Sequence, residues 1–236
     1  MVKAVIDGVR YAGFMGCVPK GRHSYLDTPE PFTVEEAEKL AAATGVRERR
    51  VAPPHITTSD LCTAAAQALL ERLGWEPSSV EVLIFVSQDA DYNLPATACL
   101  IQKRLGLPTS AACFDVALGC SGFVYGSWIA SRLLAGSSAR RALVLSGDIS
   151  TRYLMPGDRA TLPLFGDAGA AAALERDDTA PPMHAVFGTD GSGAPHIMIK
   201  AGGRRNPLVA GLVPRTAEEE AAVFADRRLN REWAEE

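Results

Sequence analysis

The sequence predicts a layered α/β protein, in which helices cover a sheet, and three observations predict it. Segments with the period of a helix alternate with short apolar segments of strand length along most of the chain. The segment Val80–Ser87 is a continuous apolar run, which is typical of a strand buried on both faces. The 236 residues are 47% hydrophobic, which is enough to bury a sizeable core.

In the first half of the chain, hydrophobic period identifies the elements, and glycines mark the ends of the helices. Ser59 or Asp60 can cap one helix, and Pro95 can begin another because proline is tolerated in a first helical turn. In chain order the predicted elements are strand Ala4–Phe14, helix Val34–Thr44 before Gly45, helix Ser59–Leu73 before Gly74, strand Val80–Ser87 and helix Pro95–Leu105 before Gly106.

The same alternation continues in the second half, up to a segment with the composition of a linker, Arg176–Pro182. The chain is therefore predicted to divide into a unit of residues 1–176 and a second unit of residues 177–236. In chain order the predicted elements are strand Cys113–Leu118, helix Ser121–Ala135 before Gly136, strand Arg141–Ser146, a run of small, closely packing residues at Asp167–Leu174, strands Met183–Phe187 and His196–Lys200, and a charged amphipathic helix Ala217–Glu236.

Composition argues against several classes of protein. The net charge is −4 and no block of Lys and Arg could follow a phosphate backbone, so nucleic acid is not an expected partner. The N-terminus lacks the apolar core of a signal peptide, and no window approaches the roughly 18 apolar residues of a membrane span, so a cytoplasmic protein is expected. The five cysteines form no CxxC pair and no metal-ligand spacing, so reduced thiols and no metal site are expected.

Cys120 lies where an apolar strand gives way to a helix that begins with Ser121 and Gly122. A thiol at this position faces unpaired backbone N–H groups and the positive end of the helix dipole, which favour the thiolate. Gly119 permits a tight turn, Gly122 permits close approach to the sulfur, and the N–H groups could hold the oxyanion of a thioester intermediate. Spacing alone also fits an inert packing cysteine, and that alternative stays open at this point.

Four segments together resemble the ketosynthase III family of thiolase-fold enzymes. The resemblance is carried by the order and spacing of the segments, which cover residues 1 to about 205. They are TGVRERRVA (Thr44–Ala52), LPATACLIQKRLGL (Leu94–Leu107), FDVALGCSGF (Phe114–Phe123) and GDRATLPLFGDAGAAAAL (Gly157–Leu174).

The resemblance implies a thiolase-like αβαβα fold, here incomplete, with the first half and the start of the second. It implies a homodimer, and a thioester between an acyl group and Cys120. In the family, an acyl-coenzyme A loads this cysteine, and a malonyl group on an acyl carrier protein loses CO2 and attacks the thioester. The product is a β-ketoacyl thioester of fatty-acid or polyketide biosynthesis, and no permanently bound cofactor is needed.

The resemblance also implies roles for four other residues. Arg159 matches an arginine beside the coenzyme A nucleotide, and Thr44 lies in a strip that borders the same tunnel. Phe165 matches an aromatic residue of the pocket near the nucleophile. Leu94 matches a position that crosses the dimer interface and limits acyl length. Three of them have a plain structural alternative, which is a local ion pair for Arg159 and ordinary core packing for Phe165 and Leu94.

The sequence departs from the family pattern in two places. Lys39 and Ala43 stand where relatives carry a Trp and an Arg that enclose the adenine, so loading from a carrier protein or another thioester becomes an alternative. The His and Asn of the family's second half have no match among His23, His55, His184 and His196. A truncated or cleaved product, or completion of the fold by a second chain, is the expectation that follows.

Alternative functions remain open from the sequence. One is a ketosynthase III-like acyltransferase that passes the acyl group from Cys120 to an alcohol or amine in secondary metabolism. Another is a non-catalytic partner subunit, against which the retained Cys120 argues. A hydrolase that pairs Cys120 with His184 or His196 is a further alternative, although no feature orients either imidazole toward the thiol.

Overall fold

The computed structural model describes residues 1–155, 157–200, 202, 203 and 205. Contacts divide the chain into a unit Met1–Phe187 and a unit Gly188–Glu236. The described secondary structure of the first unit consists, in chain order, of β1 (Val2–Ile6), β2 (Val9–Cys17), β3 (Arg22–His23), α1 (Val34–Thr44), β4 (Arg49–Arg50), α2 (Thr58–Leu73), β5 (Val82–Val86), α3 (Thr97–Leu105), β6 (Ala112–Val116), α4 (Gly122–Ala135), β7 (Arg141–Ile149), β8 (Asp167–Arg176) and β9 (Met183–Phe187), with short 3-10 turns at Pro77–Ser79 and Ser150–Tyr153.

A mixed five-stranded sheet, in the order β2-β8-β7-β5-β6, forms the centre of this unit. Strand β5 is parallel to β6 and to β7, whereas β8 is antiparallel to both β7 and β2. In the register of the parallel strands, Val86 is opposite Val116 on one side and Ser146 on the other. The loops that follow β5, β6 and β7 therefore leave the sheet at one edge, which is where parallel sheets usually carry their sites.

Helices cover both faces of the sheet. Leu83 and Phe85 of β5 pack with α2 and α3, while Ile84 and Val86, which point the other way, pack with α4. The apolar run predicted as a strand buried on both faces is confirmed, because all five residues of β5 are buried. The central sheet of the first unit and the helices on its two faces thus form three layers, α–β–α, and the predicted incomplete, layered α/β fold is confirmed.

The ends of α1 and α2 follow from local sequence. Each helix begins with a reciprocal capping box, Thr33 with Glu36 in α1 and Thr57 with Asp60 in α2. The N-cap of α2 is therefore Thr57, two residues before the predicted Ser59, while Asp60 is the capping partner. Both helices end at glycines with positive φ, Gly45 at 74° and Gly74 at 63°, as predicted.

Some predicted elements differ in the structure. The single strand Ala4–Phe14 was wrong, because Gly8 adopts a φ of 71° and divides it into β1, which pairs with β9, and β2, which pairs with β8. The strand His196–Lys200 was also wrong, since a 3-10 turn occupies Gly191–His196. The helix predicted for residues 217–236 lies outside the described residues. The boundary after residue 176 stays a prediction.

The backbone of α2 approaches β8 closely at Gly169, and this contact gives a testable prediction. A Cβ on Gly169 would lie 2.5 Å from the backbone N of Cys62 and 2.6 Å from the carbonyl carbon of Leu61. Because helix backbone cannot move aside cheaply, Gly169→Ala is expected to lower the free energy of unfolding by about 1–3 kcal/mol in chemical denaturation. Gly16→Ala, in the neighbouring β2 with no heavy atom within 4 Å of its Cβ position, is the matched control. An equal effect of both substitutions would contradict this account.

Candidate active site

Cys120 lies between the end of β6 and the start of α4. The N-cap of α4 is Ser121, and the helix begins at Gly122, one residue after the predicted start. The N–H of Gly122 donates to the carbonyl of Gly119 at 2.7 Å, which closes a tight turn around Cys120. The thiol is free and exposed, and the first turn of α4 contains no acidic side chain. The positive end of the α4 dipole, next to the sulfur in sequence, is thus not offset by an acidic side chain in that turn.

Close packing of α4 on the sheet determines where this turn lies. A Cβ on Gly122 would lie 2.5 Å from Cγ1 of Val86, the last residue of β5. The glycine was expected to let a backbone or a substrate approach the sulfur. In the structure it accommodates a side chain of the sheet, and so brings the first turn of α4 down onto the end of β5.

The loop after β5 lies beside the cysteine turn. The carboxamide of Gln88 covers Gly119, whose Cβ would lie 2.6 Å from Oε1 of Gln88. The backbone N–H of Gln88 and the hydroxyl of Ser87 both donate to Oδ1 of Asp148, at 3.0 and 2.9 Å. Asp148 belongs to β7, so side chains from the ends of two parallel strands meet beside the turn that contains Cys120.

Further hydrogen bonds fasten the same loop to α2 and to the 3-10 turn Ser150–Tyr153. Asp89 accepts from the hydroxyl of Thr58 at 2.7 Å and from that of Tyr153 at 2.8 Å. Asp91 accepts from the hydroxyl of Ser59 at 2.6 Å. Burial, together with the neighbouring Asp89 carboxylate, raises the pKa of Tyr153 to about 12, so its phenol remains a donor at neutral pH. The loop is thereby held in place by charged-acceptor hydrogen bonds.

Burial raises the pKa of Asp148 above its usual value of 3.8, and the nearby Asp89 carboxylate raises it further. The hydrogen bonds from Gln88 and Ser87 lower this pKa, but they do not cancel the rise. A carboxyl with a raised pKa holds more protons in the folded than in the unfolded protein, so its contribution to stability falls as pH rises from 3.8 through the folded-state pKa.

Asp148→Asn removes this titration and keeps an oxygen acceptor for both donors. We therefore expect the stability of the variant, relative to wild type, to increase with pH across that window and to level off above it. Denaturation titrations from pH 3 to 8 measure the difference, and a difference that is constant with pH would contradict the prediction.

The other sequence-predicted site residues lie in two separate places. Arg159 forms an ion pair with Glu36 of α1 at 2.6 Å, and its guanidinium lies 4.9 Å from the ring centroid of Phe32. Thr44 ends the same helix, and its hydroxyl donates to the carbonyl of Leu40 at 2.7 Å. The structure therefore brings Arg159 to the helix that carries Thr44, but the polar contacts of both lead to neighbours in and around α1 and not to Cys120.

The two predicted apolar residues are both on the surface of the described chain. Leu94 is 85% exposed in the loop before α3, and Phe165 is 45% exposed two residues before β8. Ordinary core packing, the plain alternative for both, does not fit these exposures. The roles that the resemblance implies for them remain predictions.

Gln88 and Asp148 were missed in the sequence. Their positions in the sequence could have identified them: Gln88 follows the apolar strand β5, and Asp148 lies near the end of the apolar strand β7. The carboxyl ends of these parallel strands lie beside the site.

Among the described residues, no helix is both long and apolar enough to cross a membrane. Within the same part of the chain, no group of three or more His, Cys, Asp or Glu side chains could hold a metal ion.

Comparisons with known proteins agree with this geometry. The profile of the family 3-oxoacyl-(acyl-carrier-protein) synthase III matches residues 114–191, a segment that includes Cys120. The β-ketoacyl-(acyl-carrier-protein) synthase III of Caldanaerobacter subterraneus is 36% identical over 171 residues, which are 72% of this chain and 51% of the relative.

Solved structures of similar proteins share the fold. A 3-oxoacyl-(acyl-carrier-protein) synthase from Burkholderia xenovorans superposes with a TM-score of 0.83 at 34% identity, covering 95% of this chain and 62% of that one. The priming β-ketosynthase of a polyketide biosynthetic pathway superposes with a TM-score of 0.68 at 26% identity, covering 74% of this chain and 52% of that one. In sequence and in fold the chain is a relative of the ketosynthase III family of the thiolase superfamily, and it spans about half the length of the curated relatives that it matches.

Proposed function

We propose that this chain carries the acyl-accepting cysteine of a ketosynthase III-type condensing enzyme, and that this cysteine is Cys120. The observation that carries the proposal is the exposed thiol directly before the N-terminus of α4, at the edge where three parallel strands end. The segment around it lies within the part of the chain that matches the family profile.

The first step is transfer of an acyl group to the sulfur. The Cys120 thiolate attacks the carbonyl carbon of an acyl thioester, a new C–S bond forms, and the bond to the donor sulfur breaks. The donor leaves as a thiolate and takes up a proton from solvent. The N-terminus of α4 supports this step because its dipole stabilises negative charge on the attacking sulfur.

The proposed second step is a decarboxylative Claisen condensation. A malonyl group on an acyl carrier protein loses CO2, the resulting carbanion attacks the thioester on Cys120, and the cysteine leaves as thiolate. The described residues supply the thioester for this step. The His and Asn expected from the resemblance have no counterpart in the sequence, so none of the described residues is assigned to activation of the malonyl group.

The donor side of the site is proposed to run past α1. Arg159 and Thr44 would border the carrier of the acyl group, which is coenzyme A or an acyl carrier protein. Lys39 forms an ion pair with Glu35 at 2.7 Å, on the exposed side of α1, and does not offer the flat surface that an adenine ring stacks on. This contact favours a carrier protein as the donor.

Phe165 and Leu94 are proposed to line the acyl pocket. The homodimer and the cytoplasmic location remain predictions.

Product analysis tests the proposal and separates it from the alternatives. The full protein is incubated with an acyl donor on coenzyme A or on an acyl carrier protein, followed by malonyl-acyl carrier protein. Release of CO2 together with a β-ketoacyl product supports the condensing enzyme. Acyl transfer to an added alcohol or amine without CO2 would replace it with the acyltransferase. Failure of every donor to acylate the protein would leave the non-catalytic partner subunit.

A further inference from the structure

The side chain of Gln88 makes a specific contact with the backbone that precedes Cys120. A Cβ on Gly119 would lie 2.6 Å from Oε1, 3.3 Å from Cδ and 3.8 Å from Nε2 of Gln88. All three atoms of the carboxamide group therefore lie over the α-carbon of Gly119. Since Gly119 also accepts the hydrogen bond that closes the turn, at 2.7 Å from the N of Gly122, the carboxamide packs on the turn itself.

The backbone of Gln88 is held in place beside that turn. Its own N–H donates to Asp148, and Ser87 before it is 7% exposed and donates to the same oxygen. On the other side, the N–H of Asp89 donates back to the hydroxyl of Ser87 at 2.9 Å. The backbone at Gln88 is thus tied to β7, and the only freedom left to this residue is in its side chain.

We infer that Gln88 is a positioning residue for Cys120, and that Gln88 and Gly119 form a size-matched pair. The carboxamide fills the space that a side chain at position 119 would occupy, and it keeps the turn closed with the sulfur at the N-terminus of α4. The link from this contact to acyl transfer rests on the proposed function, whereas the link to the reactivity of the thiol rests on geometry alone.

If Gln88 and Gly119 act as a pair, substitutions at the two positions should have non-additive effects, which two unrelated structural roles would not produce. Because Oε1 is the free end of a flexible side chain, Gly119→Ala would push the carboxamide aside and disturb the fold little. Gly119→Ala and Gln88→Ala then remove the same contact from opposite sides. Two changes that remove one contact are not additive, so the double variant is expected to behave like either single variant.

The experiment is a double-mutant cycle of wild type, Gln88→Ala, Gly119→Ala and the double variant. The first readout is the alkylation rate of Cys120 by iodoacetamide at pH 7, followed by mass spectrometry of its peptide. The exposed Cys99 serves as the internal reference, and the buried Cys62 reports unfolding, since it reacts only if the core opens. The second readout is the rate of acyl loading from an acyl thioester. Asn93→Ala, at another exposed amide of the same loop, is the matched control.

Each single variant is expected to slow both reactions by about three- to tenfold, because the sulfur is then held less closely at the N-terminus of α4. The double variant is expected to slow them no further, while Cys99, Cys62 and the Asn93→Ala control keep wild-type rates. Additive losses, or unchanged rates in the single variants, would overturn the inference. If wild type loads no acyl group but the alkylation cycle is non-additive, the proposed function fails and the inference stands. If wild type loads an acyl group but the alkylation cycle is additive, the proposed function stands and the inference fails.

Discussion

Cys120→Ser is expected to abolish the acyl adduct that forms when the protein is mixed with a reactive acyl thioester. The variant keeps the shape of the turn and the exposed position, but a serine hydroxyl ionises far less readily than a thiol. Intact-mass spectrometry should show the mass gain of one acyl group on wild type and none on the variant. The expected loss is at least about a thousandfold in loading rate, as is usual when a covalent nucleophile is removed.

Cys99→Ser is the matched control, because Cys99 and Cys120 are both exposed and free. This control should load at the wild-type rate, because the N-terminus of α3, whose first turn contains Cys99, is already offset by a carboxylate: Asp115 accepts from the N–H groups of Thr97 and Ala98, both at 2.7 Å. An adduct that survives in Cys120→Ser and disappears in Cys99→Ser would show that the reactive thiol has been misassigned.

Asp167→Ala is expected to be the most destabilising of the substitutions considered, by about 3 kcal/mol in the free energy of unfolding. The carboxylate is 2% exposed and accepts from the N–H of Ala52 at 2.7 Å, from the N–H of Thr151 at 3.0 Å and from its hydroxyl at 2.7 Å. The substitution leaves three donors without an acceptor where water enters poorly. Urea denaturation measures the loss.

Asp158→Ala provides the control for Asp167. Asp158 also accepts hydrogen bonds from two backbone N–H groups, those of Ala160 and Thr161, but it lies near solvent. Water can replace the lost acceptor there, so a loss of no more than about 1 kcal/mol is expected. Equal losses at both positions would mean that burial of Asp167 is not what makes its hydrogen bonds important.

Local pattern was sufficient to predict the elements around Cys120. The apolar period of β5 and of α4, and the glycine that ends α2, depend on neighbours within a few residues, and the structure confirms them. The break at Gly8 was missed because alternation continues across it, and only the pairing of β1 and β2 with different strands reveals it.

The contact between Gln88 and Gly119 could not be predicted for a different reason. The two residues are far apart in sequence, and they meet because β5 and β6 are adjacent and parallel in the sheet. Strand order is a property of the whole fold, which periodicity does not encode. Likewise, Leu94 and Phe165 are apolar residues that a pattern would bury, and their exposure becomes visible only once the layers are assembled.

The strand pairing has a consequence for how the chain matures on the ribosome. Strands β1 and β2 are made first, yet β1 pairs with β9 and β2 pairs with β8. Cys17, for example, cannot pair with Gly169 until β8 has been synthesised. At typical translation speeds the roughly 150 intervening residues take about 8 to 30 s to synthesise. During that interval the backbone groups along the edges of the amino-terminal strands have no partner strand, so the nascent polypeptide is open to pairing with other chains until β8 and β9 are made.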